Sequence, residues 1–520
     1  MIRFPDFLAK AARTWPDRPA VSTTDGTSLT WAGLNNRGRA LARVLYHAGA
    51  RPGDRVAFLG FNDIAAVECY FAPALIGAIS VPLNFRLSED ELGAVLDDCR
   101  PHILIVDPAH LDAALKLRLA CPSIAAIFVT GDAAAPEGGL HYETALAEPG
   151  AEVDFTPLCS RDNDTLILFY TSGTTGQPKG VMLSHANQFA NAMGTALHLG
   201  LPGCGTHFVT GPLFHTAAGA RVFAAALFGN HIILMPRFEI PVLLDAIATH
   251  RITLLQFVPT MMAMILDHPD FGRHDLSSLR DLTYGAAPIP VPLLKRTIAA
   301  FPGARLSQAF GMTEASPIVT VLTAEDHMTE GPGVARLASI GRAVSYCDLR
   351  IVGPDGADTA PGETGEIVVR GPHIMTGYWN RPEDTAMVLR DGWYHTGDGG
   401  YFDAGGYVFL AGRIKDMIIT GGENVYPIEV EDVLAHHPGV AAVAVIGAPD
   451  PVWGERVHAV ICPAPGTEVT AQELIGWARD RLAHYKCPTR VSFLEAGLPL
   501  TSVGKIDKKA LRARFSEAGQ

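Results

Sequence analysis

Between residues 30 and 130 the chain alternates short apolar runs with amphipathic stretches, and that alternation leaves few folds open. Apolar runs at 56–59, 102–106 and 124–129 have strand length. Between them, 34–47 and 89–99 have helical periodicity, and Ser88 with Glu91 gives the second stretch a capping box. Strands alternating with helices in this way build a parallel sheet covered by helices. A second βα series is expected from Leu166 to about Ala309, with strands at 232–235, 254–258 and 282–284. The polar stretch 131–154, which contains Pro and Gly, reads as a linker or long loop. From 340 to 410 short strands are split by turns such as Pro354-Asp355-Gly356 and Gly405-Gly406, which predicts a small antiparallel or barrel-like unit. The last hundred or so residues read as a separate small α+β domain, with strands at 441–446 and 457–462 and a helix at 471–482. The expected class is α/β: a large N-terminal domain of βα-layered subdomains plus the small antiparallel unit, then a small α+β C-terminal domain.

Composition narrows the function classes. At 520 residues the chain exceeds one ordinary core. With 48% apolar and 18% charged residues it is globular. A net charge of -13 without a dense Lys/Arg run opposes nucleic-acid binding. The eight cysteines form no C-x-x-C pair, so reduced thiols are expected rather than a disulfide framework or structural zinc. Met1-Ile2-Arg3-Phe4-Pro5-Asp6 carries charges where a signal peptide needs an apolar core. The longest apolar stretch, 71–81, is short and contains Pro73, so it reads as a buried segment and not a membrane span. Glu517-Ala518-Gly519-Gln520 matches no prenylation box and no peroxisomal address. A cytoplasmic protein without integral membrane association is the expectation.

The chemistry concentrates after the apolar run Leu166-Ile167-Leu168-Phe169-Tyr170, which reads as a buried strand. The segment Tyr170-Thr171-Ser172-Gly173-Thr174-Thr175-Gly176-Gln177-Pro178-Lys179-Gly180 follows. Glycines let backbone N–H groups approach a phosphate, hydroxyls donate to its oxygens, and the lysine supplies a positive charge. No Walker A register fits. This loop resembles the phosphate-binding signature of the adenylate-forming enzymes: acyl-CoA synthetases, luciferases and peptide-synthetase adenylation domains. Further matches follow in that family's order. They are Tyr284-Gly285-Ala286-Ala287-Pro288, Gln308-Ala309-Phe310-Gly311-Met312-Thr313-Glu314 and Trp393-Tyr394-His395-Thr396-Gly397-Asp398. Gly412-Arg413-Ile414-Lys415-Asp416-Met417-Ile418-Ile419, extended by Gly421-Gly422-Glu423-Asn424-Val425-Tyr426-Pro427, comes next. Pro499-Leu500-Thr501-Ser502-Val503-Gly504-Lys505-Ile506 closes the series. The similarity spans essentially the whole chain and favours the acid–CoA ligase branch.

The resemblance implies ATP, Mg²⁺ and coenzyme A as reactants or cofactors, with a small-molecule carboxylic acid as the other substrate. It implies an adenylation domain at 1–412, a hinge at 413–416 and a mobile lid at 417–520. Thr171, Ser172, Gly173, Thr174, Thr175, Gly176 and Lys179 would hold the β- and γ-phosphates. Glu314 and Thr174 would bind Mg²⁺, and Thr313 would donate to the α-phosphate. Gly285, Ala286 and Ala287 would wall the adenine, with Gln308, Ala309, Phe310, Gly311 and Met312 completing the nucleotide site. Asp398 and Arg413 would contact the ribose, and Lys415 would be the hinge residue. Lys505 would bring a positive charge to the α-phosphate during adenylation, and His215 would border the carboxylate and thiol path. Gly421, Gly422, Trp453, Tyr485 and Arg86 would contact coenzyme A, while Cys487 falls where some relatives carry an arginine facing its nucleotide.

Fatty acids and aryl or phenylpropenoid acids both suit the mainly small or apolar residues expected around the acid. Arg221 is the one cation near these segments, and dicarboxylates are not the expectation. Association as a homodimer is left open. A luciferase-like enzyme or a stand-alone adenylation domain is the alternative within the family. Outside it, Ser502-Val503-Gly504-Lys505 matches the S-x-x-K of serine–lysine hydrolases, but the K-T-G and S-D-N partners are missing.

Overall fold

The computed structural model describes residues 2–131, 135, 139–158, 160–172, 178–201, 203–287, 289–500 and 506–516. The expectations at Gly173, Thr174, Thr175, Gly176 and Lys505 therefore lie outside the described residues, as does the side chain of Ser172.

Two large sheets dominate. One has eight strands in the order Gly377–Tyr378, Pro178–Ser184, Thr165–Ser172, Ile79–Pro82, Arg55–Leu59, Ile103–Val106, Ala126–Val129 and Leu140–His141. The other has nine: Arg342–Ala343, Ile318–Leu322, Arg305–Gly311, Asp281–Gly285, Leu254–Phe257, Thr206–Val209, His231–Leu234, Pro19–Thr23 and Ser28–Thr30. Their interiors pair in parallel; antiparallel strands finish both edges of the nine-stranded sheet and one edge of the eight-stranded sheet, whose other edge strand, Leu140–His141, pairs in parallel. The helices Ile64–Leu75 and Thr216–Phe228 share one core with strands from both sheets, through Tyr70, Phe71, Phe169 and Phe223. Gly219 permits this packing, since a Cβ there would lie 2.4 Å from the Tyr70 hydroxyl. No helix among the described residues is long and apolar enough to cross a membrane.

Local signals explain the helices. The helix Glu89–Cys99 carries the expected box, with Ser88 accepting from the Glu91 N–H and the Glu91 carboxylate accepting from the Ser88 N–H. The 34–47 stretch becomes Trp31–His47, capped by Thr30.

Two expectations need correction. The strand Thr165–Ser172 closes the first sheet instead of opening the second, because it pairs with Ile79–Pro82 and folds back on Pro178–Ser184. Periodicity identifies a strand but not the sheet it joins. The 131–154 stretch is not only a linker. It holds the strand Leu140–His141 and the helix Tyr142–Ala147, whose buried Tyr142 donates to Glu68. Both elements are too short to show a period.

The antiparallel unit expected from 340 to 410 is a five-stranded sheet of Asp348–Val352, Gly365–Arg370, Trp393–Phe402, Leu389–Arg390 and Val408–Arg413. The C-terminal unit has a sheet of its own. Glu423–Val425, Ile418–Thr420, Gly454–Pro463 and Val440–Asp450 pair antiparallel, and Arg490–Phe493 joins in parallel. A separate core that includes Val430, Leu434, Val445, Ile461 and Leu474 fills one face.

Candidate active site

Ligands in open α/β sheets gather beyond the carboxyl ends of the strands, where the strand order reverses. In the nine-stranded sheet that reversal falls at Thr206–Val209, which lies between Leu254–Phe257 and His231–Leu234. The chain leaving it reaches His215, the residue before the helix Thr216–Phe228. Asn62, beyond the Arg55–Leu59 strand of the other sheet, donates to the carbonyls of Gly211 and Met235 and accepts from the Leu213 N–H. The two sheets are therefore tied together at their ligand-facing ends.

Close backbone packing sets the adenine-side residues. Gly285 pairs with Ala309, and a Cβ on Gly285 would lie 2.1 Å from the Ala309 carbonyl oxygen. Gly311 is tighter still, with the Pro317 carbonyl oxygen 1.6 Å from where its Cβ would be. No larger residue fits either place without moving a strand. Ala286 holds φ +67, a left-handed conformation costly for a residue with a Cβ. Such an outlier beside the expected adenine wall is the kind of strain that a binding site retains. Ala287, Ala309, Phe310, Gly311 and Met312 are half-buried, and Thr313 and Gln308 are buried.

Glu314 and Lys179 come from different sheets, and Tyr378 joins them. The Tyr378 hydroxyl donates to Glu314 Oε1 at 2.8 Å. The Lys179 ammonium lies 5.1 Å from the centre of the same ring and 3.1 Å from an Asp384 carboxylate oxygen. Burial, with the Glu314 charge as the next cause, pushes the Tyr378 pKa far up, so the ring stays a neutral donor. Tyr378 and Asp384 were not singled out in the sequence. Their signal is weak: an aromatic after a glycine and an acid on a short helix, neither with a local motif.

The ribose candidates are cross-strand neighbours. Asp398 on Trp393–Phe402 is in register with Arg413 on Val408–Arg413, and the Arg413 Nε lies 2.8 Å from Asp398 Oδ1. Asp398 is buried while Arg413 remains about half-exposed. Among the described residues no three His, Cys, Asp or Glu side chains cluster as metal ligands. Glu314 would offer Mg²⁺ one carboxylate, and a sparse site of this kind fits Mg²⁺, which keeps waters and binds phosphate oxygens.

The hinge and thiol candidates are exposed, unlike most of this centre. Lys415 is exposed in the single turn Ile414–Asp416, and Asp416 is held by Arg512 at 2.8 Å. Gly421, at φ +59, packs beneath Trp453 and donates its N–H to the Trp453 carbonyl at 2.9 Å. Gly422, Trp453 and Tyr485 are exposed. Cys487 points inward, with its thiol donating to the Leu482 and Ala483 carbonyls, so it presents nothing to a nucleotide. Arg86 lines a cleft of about 450 Å³ on the N-terminal side, together with Phe61, His110 and Arg237. Arg237, 4.5 Å over the Phe61 ring, was missed in the sequence because a single surface arginine carries no pattern.

Residues 8–379 match the AMP-binding enzyme family, and residues 429–505 match the AMP-binding enzyme C-terminal domain. A feruloyl-CoA synthase from Amycolatopsis sp is 44% identical over 97% of this chain and 98% of that protein. An indoleacetate–CoA ligase from Aromatoleum aromaticum is 38% identical over 98% and 97%. Among solved structures, the anthranilate CoA ligase AuaEII in complex with anthranoyl-AMP superposes with a TM-score of 0.89 at 28% identity, covering 99% of this chain and 98% of that one. The chain belongs to the AMP-binding enzyme family, in its acyl-CoA synthetase branch.

Proposed function

We propose that this AMP-forming acid–CoA ligase acts on an aryl or phenylpropenoid acid. The acid's carboxylate oxygen attacks the α-phosphorus of ATP and pyrophosphate leaves. The thiol of coenzyme A then attacks the acyl carbon of the acyl-adenylate, and AMP leaves. The observation that carries the first step is the Glu314–Tyr378–Lys179 assembly, which sets a carboxylate and an ammonium from two sheets around one aromatic ring.

In this reading the 171–179 segment and Lys179 neutralise the β- and γ-phosphates. Lys179 exchanges Asp384 for phosphate when ATP binds. Glu314 and Thr174 would hold Mg²⁺, which would supply charge neutralisation on the phosphates, and Thr313 donates to the α-phosphate. Asp398 accepts from the ribose hydroxyls, as an acceptor-only group does, and Arg413 both contacts the ribose and holds Asp398 in place. Lys505 supplies the positive charge that strengthens as pyrophosphate departs. A swing about Lys415 then brings Gly421, Gly422 and Trp453 to the thiol path. The acids for which the relatives are named, ferulate, indoleacetate and anthranilate, support the aryl assignment.

Supplying ATP, Mg²⁺, coenzyme A and a panel of phenylpropenoic, benzoic and straight-chain acids tests this. The expected result is AMP and pyrophosphate release with kcat/KM at least about tenfold higher for aryl acids, a ratio within reach of one apolar pocket. Preference for the straight-chain acids overturns the aryl assignment. Thioester hydrolysis with no AMP formed overturns the ligase reading as a whole.

A further inference from the structure

Arg221 is a buried cation with no acid paired to it among the described residues. It lies on the helix Thr216–Phe228 with 8% of its surface exposed. Its one described hydrogen bond runs from Nη2 to the Thr283 hydroxyl at 3.0 Å. No salt bridge reaches it among the described residues, although surface arginines elsewhere in the chain are repeatedly paired. Burial lowers its pKa to about 10, and no carboxylate opposes that shift, so the guanidinium is still charged at neutral pH. The nearby His207 is driven down to about 3 by burial first and by Arg221 next, so it is neutral and brings no counter-charge. Leaving a guanidinium buried and unpaired is costly, and proteins keep such groups where a ligand supplies the missing partner.

The placement identifies that ligand. Ala217 lies one turn before Arg221 on the same helix face and is half-exposed, whereas Ala218 and Gly219 are buried. Thr283 shares a strand face with Gly285, which pairs with Ala309. Thr283, Gly285 and Ala309 lie on one sheet face, the face that Arg221 meets through Thr283, and Ala217 stands one turn before Arg221 on the helix that carries it. Arg221 lies six positions after His215, a rise of about 9 Å along the helix. That is room for an aryl ring on a short linker, with the carboxyl at the His215 end.

We propose that Arg221, oriented by Thr283, is the specificity-determining residue at the distal end of the acid pocket, where it receives an oxygen acceptor on the ring: a phenolic oxygen or a second carboxylate. The proposal rests on the aryl-acid reading above and adds the class of ring substituent. Arg221 supplies N–H donors in a fixed fork. An acid without the oxygen leaves them buried and unpaired, so discrimination comes from the missing partner and not from bulk.

The test compares 3-phenylpropenoic acid with its para-hydroxy and para-carboxy forms, by kcat/KM for AMP formation. The natural protein should favour at least one oxygenated form over the parent acid by about tenfold or more. The phenol arm and the carboxylate arm show which oxygen is received. Arg221→Met should bring the ratio to within about threefold of one, and Arg221→Lys should restore part of it for the carboxylate. Thr283→Val, a smaller change, should reduce the ratio several-fold and serves if Arg221→Met does not fold, as judged by its melting transition. A natural-protein ratio near one, or a ratio unchanged in folded Arg221→Met or in Thr283→Val, overturns the proposal while leaving the aryl reading intact. Turnover of straight-chain acids alone overturns both.

Discussion

The N-terminal body and the C-terminal unit hold their candidate residues in opposite ways. In the body, position is dictated by contact. Gly285 and Gly311 are pinned by neighbouring carbonyls, Glu314 by Tyr378, and Asp398 by the arginine across its strand pair. In the C-terminal unit, Gly421, Gly422, Trp453 and Tyr485 ride on turns and are largely exposed, with Trp453 at 60% and Tyr485 at 42%. A site that must bind one nucleotide throughout gains from being preset. Residues needed in only one of two reactions can sit on a part that moves. The two halves of the reaction should therefore respond to substitution independently.

Lys505→Ala should break that symmetry most. Acyl-adenylate formation should fall by about a hundredfold or more, as loss of a charge-stabilising donor does. Thioester formation from supplied acyl-adenylate should stay within about threefold, because in the proposed mechanism the lysine serves only displacement of pyrophosphate. Pyrophosphate exchange and single-turnover transfer to coenzyme A measure the two arms. Equal loss in both would show that the unit acts in one conformation. Asp398→Ala is the counterpart in the body. It removes a charged acceptor, worth about 1.5–3 kcal/mol, so the KM for ATP should rise by about ten- to a hundredfold while the melting transition moves little. An unchanged KM removes Asp398 from the ribose site.

The sequence revealed the two regions unequally, for the same reason. Motifs around Gly285, Glu314 and Asp398 are legible because close packing admits few residue types, as the glycines at 285 and 311 demonstrate. The strands at 55–59, 103–106 and 254–257 follow from apolar runs of the right length. Pairing across the chain is not legible. Nothing local joins Tyr378 to Glu314 or places Pro19–Thr23 beside His231–Leu234, since those contacts depend on the route of the whole chain. Cys487 shows the limit of aligning one position: its side chain turns into the core where an arginine was the relatives' pattern.

Acid separates the regions thermodynamically. In the body, burial lowers His185, His231 and His373 to about 4 and His207 to about 3. The C-terminal unit has His458, also at about 4. Each folds neutral and binds a proton in the unfolded chain below about 6.5, so the unfolded state holds more protons between those values. Stability contributed by neutral burial is intact above about 6.5 and declines as the pH falls toward 4. The body's melting transition should drop by several degrees between pH 7 and 5, more than that of the C-terminal unit. If the C-terminal transition falls first, these histidines do not control acid sensitivity.

The smallest expected effect tests the exposed side of the comparison. Trp453 covers Gly421 so closely that a Cβ on the glycine would lie 2.6 Å from the indole. The ring therefore braces the Gly421-Gly422 turn, and in the proposed mechanism it also offers a face to coenzyme A. Trp453→Ala should raise the KM for coenzyme A by about three- to tenfold, which is about 1 kcal/mol, and leave adenylation within about twofold. The Gly421 N–H bond to the residue 453 carbonyl survives this change because it is a backbone bond. Gly421→Ala separates bracing from contact. It meets two obstacles, the indole and φ +59, and removing Trp453 as well relieves only the first. The double variant should then bind coenzyme A less well than Trp453→Ala alone, by the left-handed strain that remains. If it binds equally well, the turn's conformation is irrelevant to the thiol path. If Trp453→Ala slows adenylation as much as transfer, the C-terminal surface is already engaged in the first reaction, and the two regions are not separable in the way their packing implies.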